Sequence, residues 1–169
     1  MGVVKRKAVY AGSFDPITKG HLDIVNRALG VFDEIIVAVA HNAAKDTGLF
    51  TAPERVAMIR EALADVGDRV SVDAFSGLLV QYCDRVRATA IIRGLRAASD
   101  FEYEFQMAMM NRHLNARVET YFMTASQDYF YTASRLVKEV ASLGGDVSAL
   151  VPPVVHRALV ERFGASKPS

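Results

Sequence analysis

Residues 10–25 read YAGSFDPITKGHLDIV and place small and polar residues between an apolar run and a helix-like pattern. Thr18 is a suitable N-cap, so we expect residues 19–21 in the first turn of a helix. The backbone N–H groups of that turn have no partner within the helix and favour an anion. Gly20 lets a ligand approach the backbone closely, and His21 adds a side-chain donor. The stretch therefore predicts a phosphate-binding pocket.

Other residues suit the same chemistry. Gly12 and Ser13 supply a tight turn with a hydroxyl group, whereas Asp15-Pro16 alone is typical of a turn. Arg93 and Arg96 follow a later apolar run and have a glycine between them. Because arginine matches phosphate oxygens in a two-pronged geometry, this pair indicates a ligand with several negative charges.

Several alternative chemistries lack their motifs in this sequence. No Gly-x-Gly-x-x-Gly follows the first apolar run, which argues against a dinucleotide oxidoreductase, and no Gly-x-x-x-x-Gly-Lys-[Ser/Thr] occurs, which argues against a P-loop kinase. His41, His113 and His156 have no neighbours at metal-ligand spacing, so we expect no protein-bound metal. We find no nucleophile with a partner base. The pocket is thus expected to bind phosphate without forming a covalent enzyme intermediate.

The composition is that of an ordinary globular chain. It has 169 residues, 51% of them apolar and 23% charged, with a net charge of +1, so we expect neither a nucleic-acid partner nor a membrane partner. No run of about 18 apolar residues predicts a membrane span. The single cysteine, Cys83, excludes an internal disulfide and fits a reducing cytoplasm. We expect one cytoplasmic domain over residues 1–169, with short flexible ends at 1–6 and 164–169.

Short apolar runs alternate with helix-period patterns along the chain. The runs predict strands at 8–11, 35–40, 70–75, 90–93 and 118–123. Helix starts are predicted by capping boxes at 51–54 and 99–102, and further helices at 134–143 and after Pro152-Pro153. Such alternation predicts an α/β fold: a single Rossmann-like, doubly wound domain with a five-stranded parallel sheet and helices on both faces. Ligands bind such sheets at the carboxyl ends of the strands.

The motifs resemble a known family. Gly12-x-Phe14-Asp15-Pro16 followed by Thr18-x-Gly20-His21 is similar to the (Thr/His)-x-Gly-His superfamily of nucleotidyltransferases. Within it, four further motifs resemble those of bacterial phosphopantetheine adenylyltransferases: 92–96, 100–104, 110–113 and 136–139. The resemblance spans about residues 7–163. It implies transfer of the adenylyl group of ATP to 4'-phosphopantetheine, with 3'-dephospho-coenzyme A and pyrophosphate as products, by direct in-line attack.

The resemblance also implies roles for individual residues. His21 would stabilise the transition state, with Lys45 and Arg93 as further catalytic residues. Binding of 4'-phosphopantetheine would use Ser13, Lys45, Leu79 and Arg93. Binding of ATP would use Ser13, Phe14, His21, Gly94, Leu95, Arg96, Glu104, Tyr129, Phe130, Tyr131, Thr132, Ala133, Ser134 and Arg135.

One segment departs from the family pattern, which usually reads Ile-Ser-Ser-Ser before Leu-Val-Lys-Glu. Here Thr132-Ala133-Ser134-Arg135 loses one hydroxyl group at Ala133 and gains new polar groups at both ends. Which of these side chains contact ATP therefore stays open.

The resemblance further implies Mg²⁺ held mainly by ATP phosphates and water, and coenzyme A as a feedback ligand. It also implies a homo-oligomer, since relatives form hexamers, and the apolar helix near 101–113 is compatible with a subunit contact. Two alternatives remain: a sister nucleotidyltransferase with another phosphorylated acceptor, or a non-catalytic nucleotide or coenzyme A sensor.

Overall fold

The structure is a computed structural model that describes residues 5–42, 44, 47–130 and 132–164. These residues form five strands and six α-helices. The strands are β1 (Lys7–Gly12), β2 (Glu34–Ala40), β3 (Val70–Phe75), β4 (Ala90–Leu95) and β5 (Glu119–Thr124). The helices are α1 (Lys19–Ala28), α2 (Ala52–Ala62), α3 (Leu79–Val86), α4 (Ala98–Leu114), α5 (Ser134–Ser142) and α6 (Pro153–Phe163). Each predicted strand is present, and its ends agree with the prediction to within two residues.

All strand pairs are parallel, and the strand order is β3-β2-β1-β4-β5. The chain builds outward from β1 to β3 on one side and then returns to place β4 on the other side of β1. The order therefore reverses between β1 and β4, where Val9 pairs with Ile91. This reversal point opens a crevice at the carboxyl ends of the two strands, where parallel sheets bind ligands.

The sheet is covered on both faces because alternate strand residues point to opposite sides. In β2, Ile35, Val37 and Val39 pack under α1, α2, α5 and α6, whereas Ile36 and Ala38 pack with residues of α3. A strand buried in this way reads as a continuous apolar run. The predicted doubly wound α/β fold is confirmed.

Cys83 belongs to the second of these cores and is fully buried. Burial, assisted by the neighbouring Asp84 carboxylate, raises the pKa of its thiol to about 12. The thiol therefore remains protonated at neutral pH.

The two predicted capping boxes have different outcomes. At α2, Thr51 donates its backbone N–H to the Glu54 carboxylate at 2.7 Å, and Glu54 N–H donates to the Thr51 hydroxyl at 3.4 Å, so this box is confirmed. The box predicted at 99–102 is wrong, because the N-cap of α4 is Ala97, two residues before Ser99, and its side chain makes no capping bond. Asp100, in the first turn of α4, accepts the backbone N–H of Arg96 at 3.2 Å. A side chain within the helix thus binds the backbone just before it.

Helix α4 lies on the sheet without a buried face. None of its residues is buried, and apolar side chains occur all around it. Those that are large and exposed are Phe101, Tyr103, Phe105, Met107, Met109, Met110 and Leu114. Large exposed apolar patches are a common feature of interaction surfaces in soluble proteins. Within the described ranges, no helix has the length and apolar character needed to cross a membrane.

Candidate active site

A cavity of about 310 Å³ lies at the reversal point between β1 and β4. Its walls come from the end of β1, the first turns of α1, the end of β4, α4, and the segment that leads into α5. Of the predicted site residues, those that line it are Ser13, Phe14, His21, Arg93, Gly94, Arg96, Glu104, Tyr129, Thr132, Ser134 and Arg135. Residues from distant parts of the sequence thus meet where the sequence predicted a ligand.

The start of α1 fixes the orientation of His21. Thr18 is the N-cap, as predicted, and its backbone N–H donates to Nδ1 of His21 at 3.0 Å. The Thr18 hydroxyl lies at the same distance from Nδ1. Because a backbone nitrogen only donates, Nδ1 must be unprotonated, and the hydrogen of the neutral ring is on Nε2.

The surroundings of His21 favour its neutral form. Burial first, and then the positive charges of Arg96 and Arg93, lower the pKa of His21 to about 4. The Phe14 ring meets the imidazole edge-on, with centroids 5.1 Å apart, and Phe14 adopts a backbone φ of 45° to lie there. The site therefore holds a neutral imidazole with one N–H to donate.

Gly20 lines the cavity, so its predicted role in close ligand approach stays a prediction, and the structure adds a second reason for a glycine here. It is buried in the first turn of α1, and a Cβ at this position would lie 2.5 Å from the Thr132 hydroxyl and 3.3 Å from the Tyr129 Cβ. The close neighbour of this glycine is thus the segment before α5. The Thr132 hydroxyl is itself held by a 2.7 Å bond to the Tyr129 carbonyl.

Arg93 and Glu104 form a two-pronged pair. Arg93 donates from Nε to Oε2 at 2.8 Å and from Nη2 to Oε1 at 2.6 Å, and its Nη1 donates to the Ala11 carbonyl at 2.7 Å. The bond to Glu104 is the main reason why the pKa of Arg93 lies above its usual value, although burial opposes it. Since arginine has five N–H donors, two remain for a ligand. The family resemblance assigns Arg93 to 4'-phosphopantetheine and Glu104 to ATP, whereas in the structure the two side chains bind each other.

The remaining walls are basic. Nε of Arg96 lies 3.5 Å from Oδ2 of Asp100, and the Arg96 side chain is about half exposed. Arg135 is exposed in the first turn of α5. The cavity thus lies beside the N-termini of α1 and α5 and has three arginines in its walls. Helix N-termini and guanidinium groups both stabilise phosphate oxygens. Within the described part of the chain, no group of three or more His, Cys, Asp or Glu residues could hold a metal ion.

Several predicted site residues lie elsewhere. Leu79 is the first residue of α3 and packs against the second core, away from this cavity, and Leu95, Phe130 and Ala133 do not line it. Lys45 and Tyr131 lie outside the described residues. The binding roles of these six residues stay predictions.

Neither the place of Tyr10 in the cavity wall nor the contacts of Asp15, which lies beside the cavity, was predicted from the sequence. Tyr10 lines the cavity and is almost fully buried, and its ring meets Phe14 edge-on at 5.2 Å. Its place near the end of the first strand could have indicated this. Asp15 is buried in ion pairs with Lys138 and Arg55, although its sequence context suggested only a turn. A carboxylate between Phe14 and Pro16 is a weak signal for such a cluster.

Comparisons with known proteins agree on one family. A family model described as cytidylyltransferase-like matches residues 9–140. A protein named phosphopantetheine adenylyltransferase from Geobacter sulfurreducens is 59% identical, with 92% of this chain and 94% of the relative covered. Proteins of the same name are 57% identical in Syntrophotalea carbinolica (94% and 95% covered) and 54% identical in Nocardioides sp. (94% and 98% covered).

Proposed function

The chain belongs to the phosphopantetheine adenylyltransferase family, and we propose on this basis that it transfers the adenylyl group of ATP to 4'-phosphopantetheine. The products are 3'-dephospho-coenzyme A and pyrophosphate, so the reaction is a step of coenzyme A biosynthesis. The observation that carries the proposal is the identity of 59% over nearly the whole of both chains. The basic cavity around His21 supports it, because both substrates carry phosphate.

The chemistry needs little from the protein beyond position and charge. The attacking group is the phosphate of 4'-phosphopantetheine, which is already anionic at neutral pH, so it needs no general base. The bond that forms joins this phosphate oxygen to the α-phosphorus of ATP, and the bond that breaks releases pyrophosphate. In-line alignment and stabilisation of the negative charge that develops are then the main contributions of an enzyme.

The cavity contains groups suited to that work. His21 offers its Nε2–H as a neutral donor, and the N-termini of α1 and α5 offer backbone N–H groups. Arg93, with two N–H donors still available, and Arg96 add positive charge. Fixed donors of this kind act on a transition state without having to reorganise during the reaction.

Magnesium fits this site as a companion of ATP. Among the lining residues the one carboxylate is Glu104, and both of its oxygens already accept bonds from Arg93. Mg²⁺ commonly keeps several waters and binds through substrate phosphates, so the phosphates of ATP would hold it here. When bound, it neutralises part of the phosphate charge.

The exposed apolar helix α4 supports a homo-oligomer, which we propose to be a hexamer. A single subunit would leave seven large apolar side chains of α4 in water. Coenzyme A, which shares the pantetheine and adenosine parts of the substrates, is the proposed feedback ligand, and the cytoplasm is the proposed location.

A pyrophosphate-release assay tests the proposal. The purified chain is mixed with ATP, Mg²⁺ and one acceptor: 4'-phosphopantetheine, nicotinate mononucleotide or a phosphorylated alcohol. Release with 4'-phosphopantetheine alone is the expected result. Release with one of the other acceptors instead would show a sister nucleotidyltransferase. Binding of ATP or coenzyme A without release for any acceptor would show a sensor.

A further inference from the structure

Asp15 is a buried carboxylate that does not line the cavity. Its Oδ2 lies 2.7 Å from Nζ of Lys138 in α5, and its Oδ1 lies 3.5 Å from Nε of Arg55 in α2. Burial alone would raise the pKa of Asp15, but hydrogen bonds from Lys138, Phe50 and Leu49 outweigh burial and hold it below its usual value. Because an unpaired buried charge is costly, Asp15 and its cations depend on one another.

The same carboxylate holds the end of the loop between β2 and α2. The backbone N–H groups of Leu49 and Phe50 donate to its two oxygens, each at 2.9 Å. Arg55 reinforces this arrangement, since its Nε donates to the Phe50 carbonyl at 2.7 Å. The loop lies so close to Arg55 that a Cβ at Gly48 would collide with the Arg55 guanidinium. Lys45, which the family resemblance assigns to catalysis and to binding of 4'-phosphopantetheine, lies between β2 and α2 in the sequence.

The cluster also reaches the cavity walls through the residues beside Asp15. Arg55 donates from Nη1 to the carbonyl of Ser13 at 3.4 Å. On the other side, the Ser134 hydroxyl at the start of α5 donates to the Pro16 carbonyl at 2.7 Å. Phe14, directly before Asp15, contacts the His21 ring. One buried carboxylate thus connects the loop after β1, the loop after β2, and α5.

We propose that Asp15, through its ion pair with Lys138, is a positioning residue for adenylyl transfer that sets the β2–α2 loop and the start of α5 relative to His21. This inference rests on the proposed function. Two substrates have to meet in line, and each is held by different segments of the chain. Because small displacements of reacting groups lower rates strongly, loss of the common anchor is expected to slow the reaction more than it weakens binding.

The test uses Lys138→Met in the full chain. This change keeps most of the aliphatic stem and removes the charge, and the Lys138 side chain is 30% exposed, so folding is expected to persist. Lys138→Arg keeps a cation for Asp15 and is the conservative rescue. Arg157→Met, on α6, removes an exposed ion pair with Glu61 of α2 and is the matched control. Asp15→Asn is a second disruption of the pair.

Two readouts are measured: kcat and KM for both substrates, and amide hydrogen exchange at Leu49 and Phe50. We expect Lys138→Met to lower kcat about tenfold or more, with KM changed by less than about threefold. Amide exchange at Leu49 and Phe50 is expected to become faster in Lys138→Met. In Lys138→Arg and Arg157→Met, kcat and both exchange rates are expected to stay close to those of the unmodified protein. If Asp15→Asn does not fold, Lys138→Met alone decides.

An unchanged kcat in folded Lys138→Met would overturn the proposal, because the pair would then serve stability alone. A lower kcat with unchanged exchange at Leu49 and Phe50 would also overturn it, since the effect would not pass through the loop. If the unmodified chain releases no pyrophosphate with 4'-phosphopantetheine, the proposed function fails instead. Exchange at the two amides then decides whether Asp15 and Lys138 hold the loop.

Discussion

Nδ1 of His21 accepts the backbone N–H of Thr18 at 3.0 Å, so the N-terminus of α1 itself determines which imidazole nitrogen carries the hydrogen. A side chain held in this way has its donor aligned before the substrate arrives. Preorganised donors of this kind contribute mainly in the transition state.

Replacement of His21 by alanine is therefore expected to lower kcat by about 100-fold to 1,000-fold, the range for loss of one such donor, while KM for ATP changes little. Steady-state pyrophosphate release gives both constants, and the free energy of unfolding shows whether the variant remains folded. An equal loss in kcat and in ATP affinity would contradict this role, because the bond would then act in the ground state as well.

The low pKa of His21 predicts how stability depends on pH. The unfolded chain takes up a proton on this ring near the usual histidine pKa of about 6.5, whereas the folded chain does so only near pH 4. Between these values the unfolded state binds more protons, so the free energy of unfolding falls as the pH falls. His21→Gln is expected to show a shallower fall in this window in urea titrations. Equal slopes for the two proteins would contradict the lowered pKa.

Arg93→Ala is expected to raise KM for 4'-phosphopantetheine by about tenfold or more, the effect of losing a charged hydrogen bond, with less effect on KM for ATP. The same change leaves Glu104 without its two-pronged partner, so Glu104→Gln is measured beside it. Arg117→Ala is the control, since its side chain is 80% exposed and pairs with Asp84 away from the cavity. A rise in KM for ATP alone would reverse the assignment of Arg93.

The sheet and the site differ in how far the sequence predicts them. Strand β2 is buried on both faces and therefore reads as an apolar run, which is why 35–40 was correctly identified. The contacts of Asp15 were not predictable, because Phe50 and Lys138 lie 35 and 123 positions away in the sequence. Strand order was equally hidden, since alternation of strands and helices gives no information about which strands are neighbours.

Local patterns failed where a neighbouring side chain changed the outcome. Helix α4 begins at Ala98, and its first turn contains Asp100, which accepts the Arg96 N–H instead of taking part in the predicted box. The packing constraint on Gly20 was also not predictable, because Thr132, which a side chain there would meet, lies more than a hundred positions later.

Gly20→Ala is expected to lower the free energy of unfolding by about 1–3 kcal/mol, because the new methyl group would lie 2.5 Å from the Thr132 hydroxyl. The displaced segment leads into α5 and lines the cavity, so KM for ATP is expected to rise as well. Gly30→Ala is the control: its added Cβ would lie 3.2 Å from the Arg27 carbonyl, outside the cavity. A normal KM for ATP in Gly20→Ala would show that this segment does not contact the nucleotide.

Charge placed on α4 is expected to disrupt the proposed oligomer. Met110 is 53% exposed, and Met110→Glu would place a carboxylate in the surface that the proposed oligomer would bury. Light scattering on eluted fractions is expected to show a smaller particle for this variant. Val31→Glu changes a residue of similar exposure outside α4 and is expected to elute like the unmodified chain. A particle of unchanged mass for Met110→Glu would exclude α4 as the contact surface.

Cys83 has a practical consequence for spectroscopy. The chain has no second cysteine, and this one is shielded in the core with a thiol that stays protonated at neutral pH. Maleimide dyes and spin labels react with exposed thiolates, so the native protein should take up very little reagent. A cysteine introduced at an exposed position such as Leu143 could then be labelled selectively without first removing the natural one.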